Sequence, residues 1–168
     1  MAAEDIVSII NVINLYGVAM DAQRWDLFDQ IYTKDVDADF GDPSHWTDLA
    51  KFKSDFEAFH TPFDATQHLM AGHTVNVDGE SAKAFTYGYW RLMRRGLDGG
   101  DFWEGSGWYD DLLVRTKAGW RIKKRVCRVT WWAGNPIVQE VFPEVKFSMT
   151  TTNPRAEERA GRLGFLKG

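Results

Sequence analysis

From Ile6 to Gly17 apolar and small residues return every three or four positions. Ile6, Ile10, Ile13 and Gly17 follow one line, and Ile9, Val12 and Tyr16 widen it. That period is one face of an α-helix, and it ends near Asp21. Trp25, Phe28 and Tyr32 predict a second, short helix with three rings on one side, and Leu49, Phe52, Phe56 and Phe59 predict a third. Between them residues 35–40 alternate polar and apolar as a short strand does, stopped by the turn-forming Gly41-Asp-Pro43.

Beyond Pro62 the period changes from helical to alternating. Residues 66–77 run into Asp78-Gly79, a hairpin turn signal, and 81–93 set Ala82, Ala84, Thr86, Gly88 and Trp90 against Phe85, Tyr87 and Tyr89. A Gly-rich loop at 96–100 leads to residues 106–115, and Lys117-Ala-Gly119 turns into a strand over 120–132. Three helices followed by a meander of long strands is an α+β pattern. The packing expected is a cone-shaped α+β barrel: a curved antiparallel β-sheet wrapped around about three N-terminal helices, whose open mouth supplies a pocket. Residues 1–150 are expected to form this single domain, and 151–168 a polar C-terminal tail or arm.

Composition narrows the class. The 168 residues suffice for one domain that buries roughly 70% of its unfolded surface. With 44% hydrophobic and 26% charged residues the chain is too apolar for disorder. A net charge of −4 offers no nucleic-acid footprint, and the basic run from Arg121 to Arg125, interleaved with Ile122, reads as the solvent face of a strand. The lone Cys127 excludes an internal disulfide and a cysteine-rich zinc site. His45 and His60 fall in loop-like segments without ligand spacing, so neither metal nor cofactor is expected. No apolar run approaches the roughly 18 residues of a membrane span, and the start, Met1-Ala-Ala-Glu-Asp, is acidic. A cytoplasmic protein without a membrane partner is expected.

Candidate chemistry gathers at the end of the first helix and the start of the first long strand. An imidazole oriented by a carboxylate is a general base, and a nearby phenol donates a proton or hydrogen bond. His68, Asp21 and Tyr16 supply those groups. Tyr16 and Asp21 lie about 140° apart on an unbroken helix, so their convergence requires the chain to turn there. The alternative keeps His68 as a satisfied strand histidine and Asp21 as a helix cap or turn residue. His73, five residues on, falls on the opposite face of a regular strand unless Ala71-Gly72 hosts a bulge; it is either a pocket or a structural residue. Eight tryptophans are many for this length, and Trp90, Trp108 and Trp131 are candidate walls of an apolar slot, or else ordinary core and subunit contacts. With the right register Arg128 faces the cone and binds an anionic or carbonyl oxygen; the alternative is a solvent-facing arginine. Asp110 and Asp111 point to opposite faces, so at most one is expected to be buried. No Ser or Cys sits in a nucleophile elbow.

Several of these segments together resemble one family. Tyr16 to Asp21 with Trp25 after it, Thr66-Gln-His68, Val77-Asp-Gly-Glu-Ser-Ala82, Gly107-Trp-Tyr-Asp-Asp111 and Gly119-Trp-Arg-Ile122 are similar to the SnoaL-like branch of the nuclear-transport-factor-type cone fold. Within that branch the chain resembles scytalone dehydratase, hexachlorocyclohexane dehydrochlorinase and bile-acid 7α-dehydratase. The resemblance implies an Asp–His dyad that abstracts a proton while a leaving group departs, falling on Asp21 and His68. It also implies an auxiliary tyrosine at Tyr16, no cofactor, a homotrimer and a small hydrophobic or polycyclic substrate. The fold hosts other activities. An isomerase or cyclase at the same base therefore stays open, as does a non-catalytic ligand-binding or subunit module.

Overall fold

A computed structural model describes residues 2–167; Met1 and Gly168, the outer ends of the expected domain and arm, lie outside the described residues. The elements are α1 (Ala2–Asp21), α2 (Phe28–Ile31), β1 (Tyr32–Asp39), β2 (His45–Trp46), α3 (Leu49–His60), β3 (Ala65–Asp78), β4 (Ser81–Met93), β5 (Phe102–Thr116), β6 (Gly119–Gly134) and α4 (Pro154–Arg159). The six strands form one curved sheet in the order β2-β1-β6-β5-β4-β3. Pairing is antiparallel throughout the meander, and β1 joins β6 in parallel, so the sheet is mixed. The α+β cone expected from the pattern is present.

Helix α1 lies along the edge strand β3, and Ile9, Ile13, Tyr16, Ala19 and Met20 bury the face that meets the sheet. By length and composition α1 is long and apolar enough to cross a membrane, contrary to the expectation above; in the fold about a third of it is buried, as the stripe that meets the sheet. The second helix is shorter than expected. A single 3₁₀ turn, Trp25–Leu27, precedes α2, and Tyr32 already starts β1. Helix α3 places Leu49, Phe52, Phe56 and His60 on its buried stripe, with Asp48 capping its start by accepting from the Lys51 N–H.

The C-terminal segment is docked rather than loose. Thr151 bridges to Val129, and Leu163 and Phe165 pack with Phe85 and Trp108 on the outer face of the sheet. Asp110 accepts the backbone N–H groups of Gly164 and Phe165. Asp110 and Asp111 do point to opposite faces, yet both are buried, because this arm covers the outer one.

Candidate active site

Asp21 closes α1 at the end where the helix dipole is negative and no basic side chain helps. Three donors from β3 compensate. The His68 ring donates from Nδ1 to Asp21 Oδ1 at 2.7 Å, the His68 backbone N–H reaches Oδ2 at 2.9 Å, and the Thr66 hydroxyl reaches Oδ1 at 2.8 Å. Burial pushes the Asp21 carboxyl upward. The hydrogen bonds from the His68 ring and backbone and from Thr66 outweigh it and hold the group below its ordinary value. Since the carboxylate only accepts, His68 carries its proton on Nδ1, and Nε2 on the far side of the ring is left with a lone pair. The side chains are 6% and 30% exposed, so the imidazole is shielded while the acid reaches the rim.

Tyr16 and Asp21 do not meet across a turn, contrary to the sequence argument. Helix α1 runs unbroken through Asp21, and His68 lies between the two: its ring is bonded to Asp21 and sits edge-on to the Tyr16 ring, centroids 6.1 Å apart. The Tyr16 hydroxyl pairs with Tyr109, and burial raises its pKa, so the phenol keeps its proton.

On the inner face Trp90 stands opposite His68 and donates from Nε1 to the Tyr109 hydroxyl at 2.7 Å. Gly88 makes that possible, because a Cβ there would meet the Trp90 ring at 2.7 Å and Tyr109 at 2.8 Å. The β3 ladder shifts register between Ala71 and Thr74, with Gly72 at φ +63°. This bulge turns His73 to the same face as His68, where its Nδ1 lies 3.1 Å from the buried Thr86 hydroxyl. Burial lowers the His73 pKa, with Asp111 opposing.

The other three expected pocket residues lie elsewhere. Tyr109 and Cys127 occupy the inner positions, which by strand alternation puts Trp108 and its partner Arg128 on the outer face. Trp108 packs under the arm, and Arg128 is bound to Asp39 at 2.7 and 3.0 Å. After a second bulge Trp131 also faces outward, beside Tyr89 and 43% exposed.

Two residues at the site escaped the sequence reading. The basic run does not stay on the solvent face, because β6 shifts register at Lys123 and turns Arg125 inward, fully buried. Its guanidinium binds Asp111 at 2.8 and 2.7 Å and Tyr32 at 3.0 Å, and lies 4.6 Å from the Tyr16 ring and 4.3 Å from that of Tyr109. An inward Lys124 would be the consequence of strict alternation from Trp120 and Ile122, and that improbable placement was the available signal. His60 is not in a loop; it ends α3 on the apolar stripe of Leu49, Phe52 and Phe56, 4% exposed. Burial, chiefly, and the positive charge that His68 would carry once protonated drop its pKa to about 3. His45, by contrast, is exposed and bonded to Asp37.

Beside the dyad a groove of about 470 Å³ runs between α1 and β3, lined by Asn14, Gly17, Val18, Asp21, His68 and Met70 among others. Among the described residues no group of three or more His, Cys, Asp or Glu side chains is arranged to hold a metal.

Residues 1–126 match the SnoaL-like domain. The protein Rv2910c of Mycobacterium tuberculosis is 29% identical over 115 residues, covering 66% of this chain and 76% of its own. Among solved structures, Kfla4162 of Kribbella flavida superposes with a TM-score of 0.75 at 25% identity, over 79% of this chain and 95% of that one. A proposed scytalone dehydratase of Novosphingobium aromaticivorans superposes with a TM-score of 0.72 at 16% identity, over 92% and 97%. With three quarters of its length matched and the cone in place, the chain belongs to the SnoaL-like domain family.

Proposed function

We propose that the protein is a cofactor-independent lyase, a dehydratase acting on a small hydrophobic or polycyclic molecule. The observation that carries this is the 2.7 Å bond from His68 Nδ1 to Asp21 Oδ1 at the inner face of the cone. Asp21 fixes the tautomer and stabilises the imidazolium that forms, as the acid of a triad does. His68 Nε2 takes the proton from a carbon next to a carbonyl. The electron pair forms the new double bond as the C–O bond one carbon further on breaks, and the hydroxide leaves as water after gaining a proton. Tyr16, protonated and against the His68 ring, is the auxiliary donor for that oxygen or for the carbonyl. His73 and Trp90 share the face of the cone that would hold the substrate. The likeness to a proposed scytalone dehydratase supports an elimination over an isomerisation at the same base.

A panel of hydroxylated ketones, steroids and polyketides, screened for products lighter by one water, identifies the substrate. On that substrate His68→Ala and Asp21→Asn, both folded, are expected to lose turnover by about 10³-fold or more. Wild-type turnover in both would falsify the assignment, and products of unchanged mass would move it to an isomerase. Self-association as a homotrimer is part of the proposal. The exposed Leu69, Tyr87 and Trp131 on the outer sheet face are its candidate contacts, and light scattering reads the mass.

A further inference from the structure

The site contains a second imidazole with a free nitrogen. The His60 ring lies 6.1 Å from that of His68, tilted by 49°, and is closed in by Trp25, Phe56, Phe59 and Phe63 with centroid distances of 5.0–5.7 Å. Its Nδ1 is 2.7 Å from the Phe56 carbonyl oxygen. A carbonyl only accepts, so Nδ1 bears the proton and Nε2 is a lone-pair acceptor. Among the described residues Nε2 has no hydrogen-bond partner. Nε2 is not sealed in, since the wholly enclosed side-chain polar atoms left without a partner among the described residues are Thr33 Oγ1 and Trp103 Nε1, so a donor from a ligand can reach it.

We infer that His60 is a substrate-positioning residue whose Nε2 accepts a hydrogen bond from a hydroxyl of the ligand. The inference rests on the reading of His68 as the base at this site. Two adjacent imidazoles then present two lone pairs with different tasks. His68 Nε2 meets the acidic C–H, and His60 Nε2 holds an O–H on the same molecule. The ring must stay neutral to accept, and its apolar enclosure keeps it so. The aromatic enclosure suits the hydrocarbon part of a ring-bearing alcohol or phenol. An anionic oxygen in the same place would face a lone pair and find no donor. The substrate class is therefore a neutral hydroxylated ring compound, and ethers and carboxylates of the same shape bind less tightly.

Equilibrium binding tests this without turnover, so its outcome is separable from that of the lyase assay. The probes are 2-naphthol, a neutral aromatic alcohol, and 2-methoxynaphthalene, which has the same rings without the donor. The naphthol is expected to bind about tenfold more tightly. In ¹⁵N-histidine-labelled wild-type protein it should shift the His60 Nε2 resonance in the direction of an accepted hydrogen bond, and the ether should not. His60→Phe, whose ring suits the surrounding aromatics, should abolish the tenfold preference while the ether binds as before. Equal affinities, a His60 resonance unmoved at saturation, no binding of either probe, or a preference that survives in folded His60→Phe would each overturn the inference. The labelled wild-type protein needs no substitution, so a variant that fails to fold leaves the test intact.

Discussion

Arg125 and Asp111 face each other across hydrogen bonds of 2.8 and 2.7 Å, and both side chains are wholly shielded from solvent. The pair forms the floor of the inner face, where the guanidinium packs on Tyr16 and Tyr109 and donates to Tyr32. Removing one partner strands the other charge in a dry interior. Asp111→Asn or Arg125→Met should each lower stability by about 3–5 kcal/mol. The double variant Asp111→Asn with Arg125→Met removes both charges and should lose less than the sum of the two. Urea unfolding of the four proteins gives the coupling directly.

His60 makes stability depend on acid in a known direction. Its pKa is about 3 in the folded protein, against an ordinary value near 6.5, chiefly because burial disfavours the charged ring. The unfolded chain therefore binds a proton between these values that the folded chain refuses. Stability should fall as pH drops from about 6.5 toward 3, at a limiting slope of about 1.4 kcal/mol per pH unit. Other groups titrate in this range, so the measurement is a difference. Thermal unfolding of wild type and His60→Phe should diverge least at pH 7, with wild type losing more on acidification. Parallel curves would mean that His60 is not a neutral buried ring.

The periods of the sequence carried the architecture, because helix stripes and strand alternation are local signals. Leu49, Phe52 and Phe56 mark α3, and Asp78-Gly79 marks the first hairpin. The approach of Asp21 to His68 spans 47 positions and was legible only through the resemblance, since no local period encodes it. Faces were harder to read than elements. The bulge at Gly72 was foreshadowed by Ala71-Gly72, but the shift at Lys123 has no glycine to announce it, so Arg125 was left outside. Trp108 and Arg128 sit one register position from Tyr109 and Cys127, and one position is the whole difference between pocket and outer face. The burial of Asp110 depended on a distant segment folding back over it, which composition alone could not reveal.

That returning arm is held by a β-bridge, two backbone bonds to Asp110 and one small apolar contact, and the last can be weakened by a single substitution. Leu163 is 5% exposed against Phe85 and Trp108, and Glu157 ties Arg162 and Thr152 within the arm. Leu163→Ala should cost about 2 kcal/mol of docking, roughly a 30-fold rise in the open population. Trypsin cutting at Arg159 and Arg162 should accelerate by about that factor, while tryptophan emission from the newly wetted Trp108 shifts to the red. Unchanged cleavage would show that the arm is anchored by other groups.

Gly17 tests how tightly α1 is set against β3. Inside an exposed helix, replacing glycine with alanine ordinarily adds about 1 kcal/mol. Here the added Cβ would come within 2.7 Å of the His68 carbonyl oxygen, an atom of the backbone that cannot rotate away. The helix must therefore back off, and the same movement draws Asp21 from the His68 ring and backbone N–H. Gly17→Ala should thus be destabilised by about 1–3 kcal/mol instead of stabilised. Its turnover on the identified substrate should drop by about tenfold or more even where the protein is fully folded, because displaced catalytic groups cost rate steeply. A stabilised, fully active Gly17→Ala would show that the helix does not press on the strand at this point, and that the dyad is set by other contacts.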